Sequence, residues 1–441
     1  MRKYTIPAFL AFAMTASMLA GCAKDTGSST ATADDTKKTA ANPEPVELTI
    51  YSAGGTNNDE FEKNYASYIK KKFPHVTIKY INPREGAGTK LEDLITAGVN
   101  IDLYYESIGT FFSTLPRNKA TFDLTEMVKK KNLDLNRFDP TLIDALKQNG
   151  NGQLWGLPVT TNTMSLYYNK DIFNKFGIPY LKDGMSWEEL YEVAGKLNRT
   201  DGGKKYVGMA ISPSHSMRMN NYSLPFVDAK TGKATFDNEI WKQLLQPILQ
   251  PAADSLYQSK MADLNSKLPY SSEWLKTQDL AILGVFSDWQ VVNPEPVPFD
   301  WDLAAYPQYK DNPGVGSQQY PVYWAIPSFS KHKEQAFDVL AYLVSDEYQT
   351  ELSKRGGMTV LTNPEVRKAF GENSPHKNKN LAAAYYNKSA PISVKTEYDK
   401  TAENAITAKL ADLALNKIDI NTALRQAQEE ADKAIEAAKK N

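Results

Sequence analysis

The 441 residues predict an α/β fold, and three observations carry that expectation. Short β-branched and aromatic runs alternate with longer segments whose apolar residues recur every three to four positions, the order of a parallel sheet covered by helices. Residues 164 to 168 show a clean period of two, with Met164, Leu166 and Tyr168 interleaved with Ser165 and Tyr167, which sends successive side chains to opposite faces of a sheet. A Trp155-Gly156-Leu157-Pro158 turn comes just before it; Pro158 has no N–H for a ladder, so the chain ends a strand or crosses over there.

From the first apolar run, VELTIY (46–51) reads as a buried strand and SAGGTNN as the turn after it. In 59–72, Phe61, Tyr65, Tyr68 and Ile69 recur at i, i+4, i+7 and i+8, one face of a helix that Pro74 stops. VTIKYI (76–81) is the second strand, a helix around Leu91, Leu94 and Ile95 follows, and IDLYY (101–105) is the third strand. Ligands of open sheets sit at the carboxyl ends of strands. Loops 52–58 and 106–110 are therefore the first places to expect one.

Helical patterns cover 122–148 and end in the Asn149-Gly150-Asn151-Gly152 turn. Past the period-two strand, Ile172, Phe173 and Phe176 share one side of a short segment that Gly177 ends. Ser186 then caps a helix, with Glu189 placed to close a capping box and Leu190, Val193, Ala194 and Leu197 as its buried stripe. YVGMAI (206–211) and LAILGVF (280–286) are apolar strands, the second delivering Ser287, Asp288 and Trp289 at its end, and WDLAAYP (301–307) follows a Pro-rich turn. Helices return at 333–344 and at 401–440, with Asn421 the expected cap of the last.

The first 22 residues speak to compartment. Arg2 and Lys3 precede an apolar run from Ile6 to Leu19, too short for a comfortable membrane span and ordered like a secretory signal. Leu19-Ala20-Gly21-Cys22 resembles the bacterial lipobox, and Cys22 is the single cysteine of the chain. The expectation is a signal peptide over 1–21, acylation (palmitate) at Cys22, and a tether to residue 45 that lacks aromatics, Val, Leu and Ile and so has nothing to bury. As a flexible coil it would reach about 25 Å. Without Arg2 and Lys3, 49 basic face 52 acidic side chains, a net charge of −3, and no basic excess points to nucleic acid.

No GxSxG, HExxH, Walker loop or CxxC occurs, so neither catalysis nor a cofactor is expected. His75, His215, His332 and His376 are scattered and share no cysteine, which does not suggest a metal site. The adjacent pairs Tyr104-Tyr105, Tyr167-Tyr168 and Tyr385-Tyr386 raise ferric iron as an alternative ligand. Strand alternation would turn one member of each strand pair into the core.

Residues 153–197 carry a resemblance. An aromatic-Gly-Pro turn, then YYNKDIF, then Gly-Ile-Pro, then a capped Trp-Glu-Glu-Leu helix resemble the family 1 extracellular solute-binding proteins, the maltose-binding-protein-like receptors of ABC importers. AAYPQYKDNPGVG (304–316), AIPSFSKHKEQAFDVLAYLVSDEYQTELSKRGG (325–357) and LALNKIDINTALRQAQEEADKAIEAAK (413–439) resemble the family in the same order. The resemblance implies a two-lobed, type II periplasmic-binding-protein fold, each lobe a mixed sheet flanked by helices. It implies three interlobe crossings near 158–162, 304–308 and 342–348, an N-terminal lobe from 46–160 plus 306–345, and a C-terminal lobe from 161–305 plus 346–441.

It also implies a monomeric lipoprotein, anchored by lipid alone on the outer face of the cell membrane, that captures a carbohydrate and hands it to ABC permease subunits. A sugar ring asks for flat apolar walls and a few amides, hydroxyls and carboxylates. Trp289, beside Asp288 at the end of a buried strand, is the leading wall and resembles the family's cleft aromatic. Tyr320, Tyr323 and Trp324 stand where the family usually has glycines. Asn57, Asn58, Tyr105, Glu106 and Asn162, at strand ends, are the expected polar contacts. An extracellular glycan-acting enzyme and a peptide or ferric receptor or sensor are the alternatives.

Overall fold

A computed structural model describes residues 44–293 and 297–440. The expected signal peptide, Cys22 and all but the last residues of the tether lie outside the described residues. Pro45–Asn441 forms one compact unit, built on two sheets. Their strands in chain order are β1 (Val46–Ser52), β2 (Val76–Ile81), β3 (Leu103–Ser107), β4 (Leu157–Thr160), β5 (Met164–Asn169), β6 (Ala210–Ile211), β7 (Ile282–Phe286), β8 (Trp301–Ala305) and β9 (Val322–Ala325).

The first sheet runs β2-β1-β3-β9-β4. β1, β2 and β3 are parallel, with Ile50 opposite both Tyr80 of β2 and Leu103 of β3; β9 then runs antiparallel between β3 and β4. Pro158 sits in β4 at the edge of this sheet, the one place where a strand loses nothing by lacking an N–H. The second sheet runs β8-β5-β7-β6, with β5 antiparallel to both of its neighbours.

The period of two in β5 is realised on a sheet covered on both faces. Met164, Leu166 and Tyr168 face one core together with Ile282 and Ala304. Tyr167 faces the other with Leu283, Val285, Trp301 and Leu303. Both members of the Tyr167-Tyr168 pair are therefore buried, as are both of Tyr104-Tyr105, where one core residue per pair was expected: a sheet packed on both sides leaves no solvent face.

Several local expectations meet their cause in the backbone. Ser186 and Glu189 form the full capping box of helix Trp187–Leu197, an arrangement that contributes about 1 kcal/mol. The last helix, Ile420–Ala438, is capped by Asp419, whose carboxylate accepts from the N–H groups of Asn421 and Thr422. Asn421, the expected cap, is inside the first turn, since Asp419 meets two orphan donors at once. The helix expected over 59–72 is interrupted: α-helical Asn58–Phe61 and Ser67–Lys72 enclose a π-turn, Glu62–Ala66, in which the Ser67 N–H reaches back five residues to the Glu62 carbonyl.

Two passages link the sheets: 161–163 from β4 to β5, and 306–321 from β8 to β9. Within the second passage Val315–Gln318 pairs with Lys388–Ala390, and Tyr306 and Tyr309 pack in the second sheet's core. The first sheet's core takes in Tyr348 and Leu352 of helix Asp346–Lys354, and Val360 and Leu361 beyond it. Among the described residues no helix is long and apolar enough to cross a membrane.

Candidate functional site

Where the two sheets face each other, a cavity of about 790 Å³ opens, within the range of roughly 300–1,000 Å³ typical of ligand pockets. Glu60, Lys63, Asn64 and Tyr65 reach it from the interrupted helix, Thr160, Thr161 and Asn162 from the first passage, and Phe286, Asp288 and Trp289 from the end of β7. Tyr320 enters just ahead of β9 and Val322 at its first position, and Leu352, Arg355, Gly357 and Met358 close one side.

The turn after β7 is held from behind. Buried Tyr167 donates its hydroxyl to the Ser287 carbonyl at 2.8 Å and accepts from the Gln290 N–H at 3.1 Å. Ser287 hydrogen-bonds Thr163 and Ser165 across the sheet at 2.8 and 2.7 Å. Tyr167 also meets Trp289 edge-on, with centroids 5.9 Å apart, so one residue fixes both the turn and the indole. Trp289 is left half-buried, lining the cavity. A half-buried aromatic on a rigid turn suits stacking against an apolar ring face.

Asp288 accepts from the Asn162 side-chain amide at 2.5 Å. Removal from water pushes its carboxyl up to about 6, against the partial relief of that hydrogen bond. The other end of the Asn162 amide accepts from the Thr163 N–H at 3.1 Å. Asn162 thus spends its amide on orienting Asp288, and the carboxylate keeps lone pairs for donors in the cavity. Beside it, the Thr161 hydroxyl is buried with no hydrogen-bond partner among the described residues.

Tyr320 belongs to this cavity and to the ionic cluster behind it. Its N–H donates to the Asn162 carbonyl at 2.8 Å, its ring packs 5.4 Å from Phe286, and its hydroxyl accepts from Arg218 at 3.2 Å. Arg218 holds buried Glu403 in a two-pronged pair.

The other expected contacts are elsewhere. Tyr323 and Trp324 are fully buried in the first core: β9 is a central strand with helices packed against it, so its rings fill the lobe instead of walling the cavity. Trp324 stacks on Tyr105 at 4.4 Å, and Tyr105 hydrogen-bonds Tyr80 at 3.0 Å. Glu106 is turned inward to Tyr104 and Thr110, and burial raises its pKa. Asn57 caps the first helix by accepting from the Glu60 N–H, and Asn58 is exposed beside Asn82. None of these six lines the cavity. What sequence reading missed is the run 60–65: strand ends drew attention to Asn57 and Asn58, while nothing in the helical pattern marks a π-turn. Among the described residues no cluster of three His, Cys, Asp or Glu could hold a metal ion.

Residues 54–350, well over half of the chain, match the model of the bacterial extracellular solute-binding proteins. The chain belongs to that family. In sequence, this solute-binding protein is 31% identical over 131 residues to the sn-glycerol-3-phosphate-binding periplasmic protein UgpB of Salmonella typhimurium, a match covering 28% of this chain and 29% of that protein. The Escherichia coli K12 counterpart is 29% identical over the same length. The match thus spans under a third of these relatives.

In fold it is similar to two-lobed receptors over nearly their whole length. The ABC substrate-binding protein Lmo0181 from Listeria monocytogenes, solved with cycloalternan, superposes with a TM-score of 0.70 at 18% identity, covering 89% of this chain and 99% of that one. The sugar-binding protein MalE from Xanthomonas citri gives 0.65 at 15% identity, covering 89% and 98%.

Proposed function

We propose that this solute-binding protein captures a carbohydrate, in the size range of an oligosaccharide, between its two lobes and delivers it unaltered to the transmembrane subunits of an ABC importer. The observation that carries the reading is the pairing at the end of β7. A half-buried indole for the apolar face of a ring stands next to a desolvated carboxylate for its hydroxyls, both in a cavity of about 790 Å³. Sugar hydroxyls donate to such a carboxylate. Support also comes from relatives solved with cycloalternan and with mannobiose.

In this reading the lobes follow the cores, so that helix Asp346–Lys354 moves with the first sheet and 306–318 with the second. A ligand that touches both lobes favours the closed arrangement by its differential affinity for it. Cys22 carries the acyl anchor, and the tether keeps the receptor near its permease as a monomer on the outer face of the membrane.

A thermal-shift screen of mono- and oligosaccharides, with glycerol 3-phosphate, peptides and ferric citrate alongside, tests the ligand class. Stabilisation by a glycan, unchanged on recovery, supports the reading. Stabilisation by one of the others alone, or release of a cleaved product, overturns it. Cys22→Ser with cell fractionation tests the anchor, which fails if the variant stays with the membrane.

A further inference from the structure

We infer that the first lobe's own hold on the ligand is Asn64, presented by the π-turn Glu62–Ala66 and set in place by Tyr348; this rests on the carbohydrate reading of the cavity. The wider turn rotates successive side chains through a smaller angle than an α-helix does, and π-turns recur where a helix must aim a side chain. Here Tyr65 remains in the core, 5.0 Å from Trp324 and 5.9 Å from Phe61. Its neighbour Asn64 faces the cavity half-buried.

The Asn64 amide has no hydrogen-bond partner among the described residues, while its carbonyl accepts the Tyr348 hydroxyl at 2.8 Å. The carbonyl of Lys63 accepts from the Arg355 guanidinium at 3.1 Å, and that guanidinium lies over the Tyr68 ring at 4.4 Å. Both ends of helix Asp346–Lys354 therefore grip consecutive carbonyls of the irregular turn. The turn is stiffened at the point where it offers a free amide. An amide both donates and accepts, which matches a neutral hydroxyl pair on a ring. Asn64 stands on the first lobe and Asp288 and Trp289 on the second, so a ring seated on Trp289 meets Asn64 only when the lobes are together. Asn64 thus reads the ligand, and Tyr348 is a positioning residue acting through it.

The test is calorimetric titration of mannobiose, mannotriose and cycloalternan into the wild-type chain, Asn64→Ala, Tyr348→Phe and the double variant. For the glycan that binds, Asn64→Ala is expected to raise Kd about tenfold at an unchanged melting temperature, as loss of a buried hydrogen bond to ligand would. Tyr348→Phe is expected to raise Kd about threefold alone and by less than about twofold when Asn64 is already Ala, the coupling of residues that act in series. The inference falls if Asn64→Ala stays within about twofold of wild type, or if Tyr348→Phe weakens binding equally in both backgrounds. If the wild-type chain takes up neither these nor any glycan of the thermal-shift screen, the carbohydrate reading falls and takes the inference with it.

Discussion

Asn162 donates its side-chain amide to the Asp288 carboxylate at 2.5 Å, tying the first passage between the sheets to the end of β7, 126 residues away in sequence. The carboxyl is raised to about 6 because burial outweighs that single hydrogen bond. A group raised in the folded state binds its proton more tightly there, so its unfavourable contribution is absent below the unfolded value near 3.9 and grows as pH rises through about 6. Ligand hydroxyls favour the ionised form, which gives binding the opposite trend. Affinity is expected to fall about tenfold between pH 7.5 and pH 5, since roughly one carboxyl in ten is then ionised. Asp288→Asn should bind weakly at both values and show no such slope. A flat profile in the wild-type chain would refute the role.

Trp289→Ala removes the wall while leaving the turn in the hands of Tyr167, which bonds the Ser287 carbonyl and the Gln290 N–H rather than the indole. The variant should keep its melting temperature within a few degrees. It should lose about 2 kcal/mol of ligand binding, the order of a buried aromatic's apolar contribution. Titration of the bound glycan against both proteins reads this directly, and equal Kd values would sink the stacking role.

How much of this was legible in the sequence follows from what each feature depends on. Pro158 at a sheet edge, the period of two in β5 and the Ser186 capping box are local, and each can be read from neighbours within a few residues. Trp289, Asp288, Asn162 and Tyr320 were legible as cavity residues because they flank strand ends. Tyr323 and Trp324 were not legible as core. That outcome depends on β9 returning from residue 322 to lie between β3 and β4, a pairing across more than 160 residues on one side. The π-turn escaped for another reason: Phe61, Tyr65 and Ile69 keep a spacing of four straight through it.

Gly208 tests the packing of the second lobe. A Cβ there would stand 1.9 Å from the Ala194 carbonyl oxygen, and its N–H is already committed to the Asn198 side chain at 2.7 Å. Backbone on both sides cannot give way cheaply. Gly208→Ala is expected to lower stability by about 2–3 kcal/mol in urea unfolding, as overpacked cores do. A change below about 0.5 kcal/mol would mean that the helix Trp187–Leu197 can shift.

The ionic cluster behind Tyr320 gives the last expectation. Glu403 is buried, with Arg218 across it in a two-pronged pair and Lys400 3.5 Å away. Arg218→Met would leave that carboxylate with the half-exposed Lys400 and the more distant Lys395, and losing one partner of a buried pair costs about 3–5 kcal/mol. Lys400 should hold the loss near the lower end. Adding Glu403→Leu to Arg218→Met removes the stranded charge and should recover most of the stability, because apolar replacement of a whole buried pair is often near neutral. Both variants, however, release the Tyr320 hydroxyl from its 3.2 Å bond to Arg218. Weaker glycan binding in the double variant, with its melting temperature restored, would therefore separate the cluster's part in holding Tyr320 at the cavity from its part in holding the lobe together.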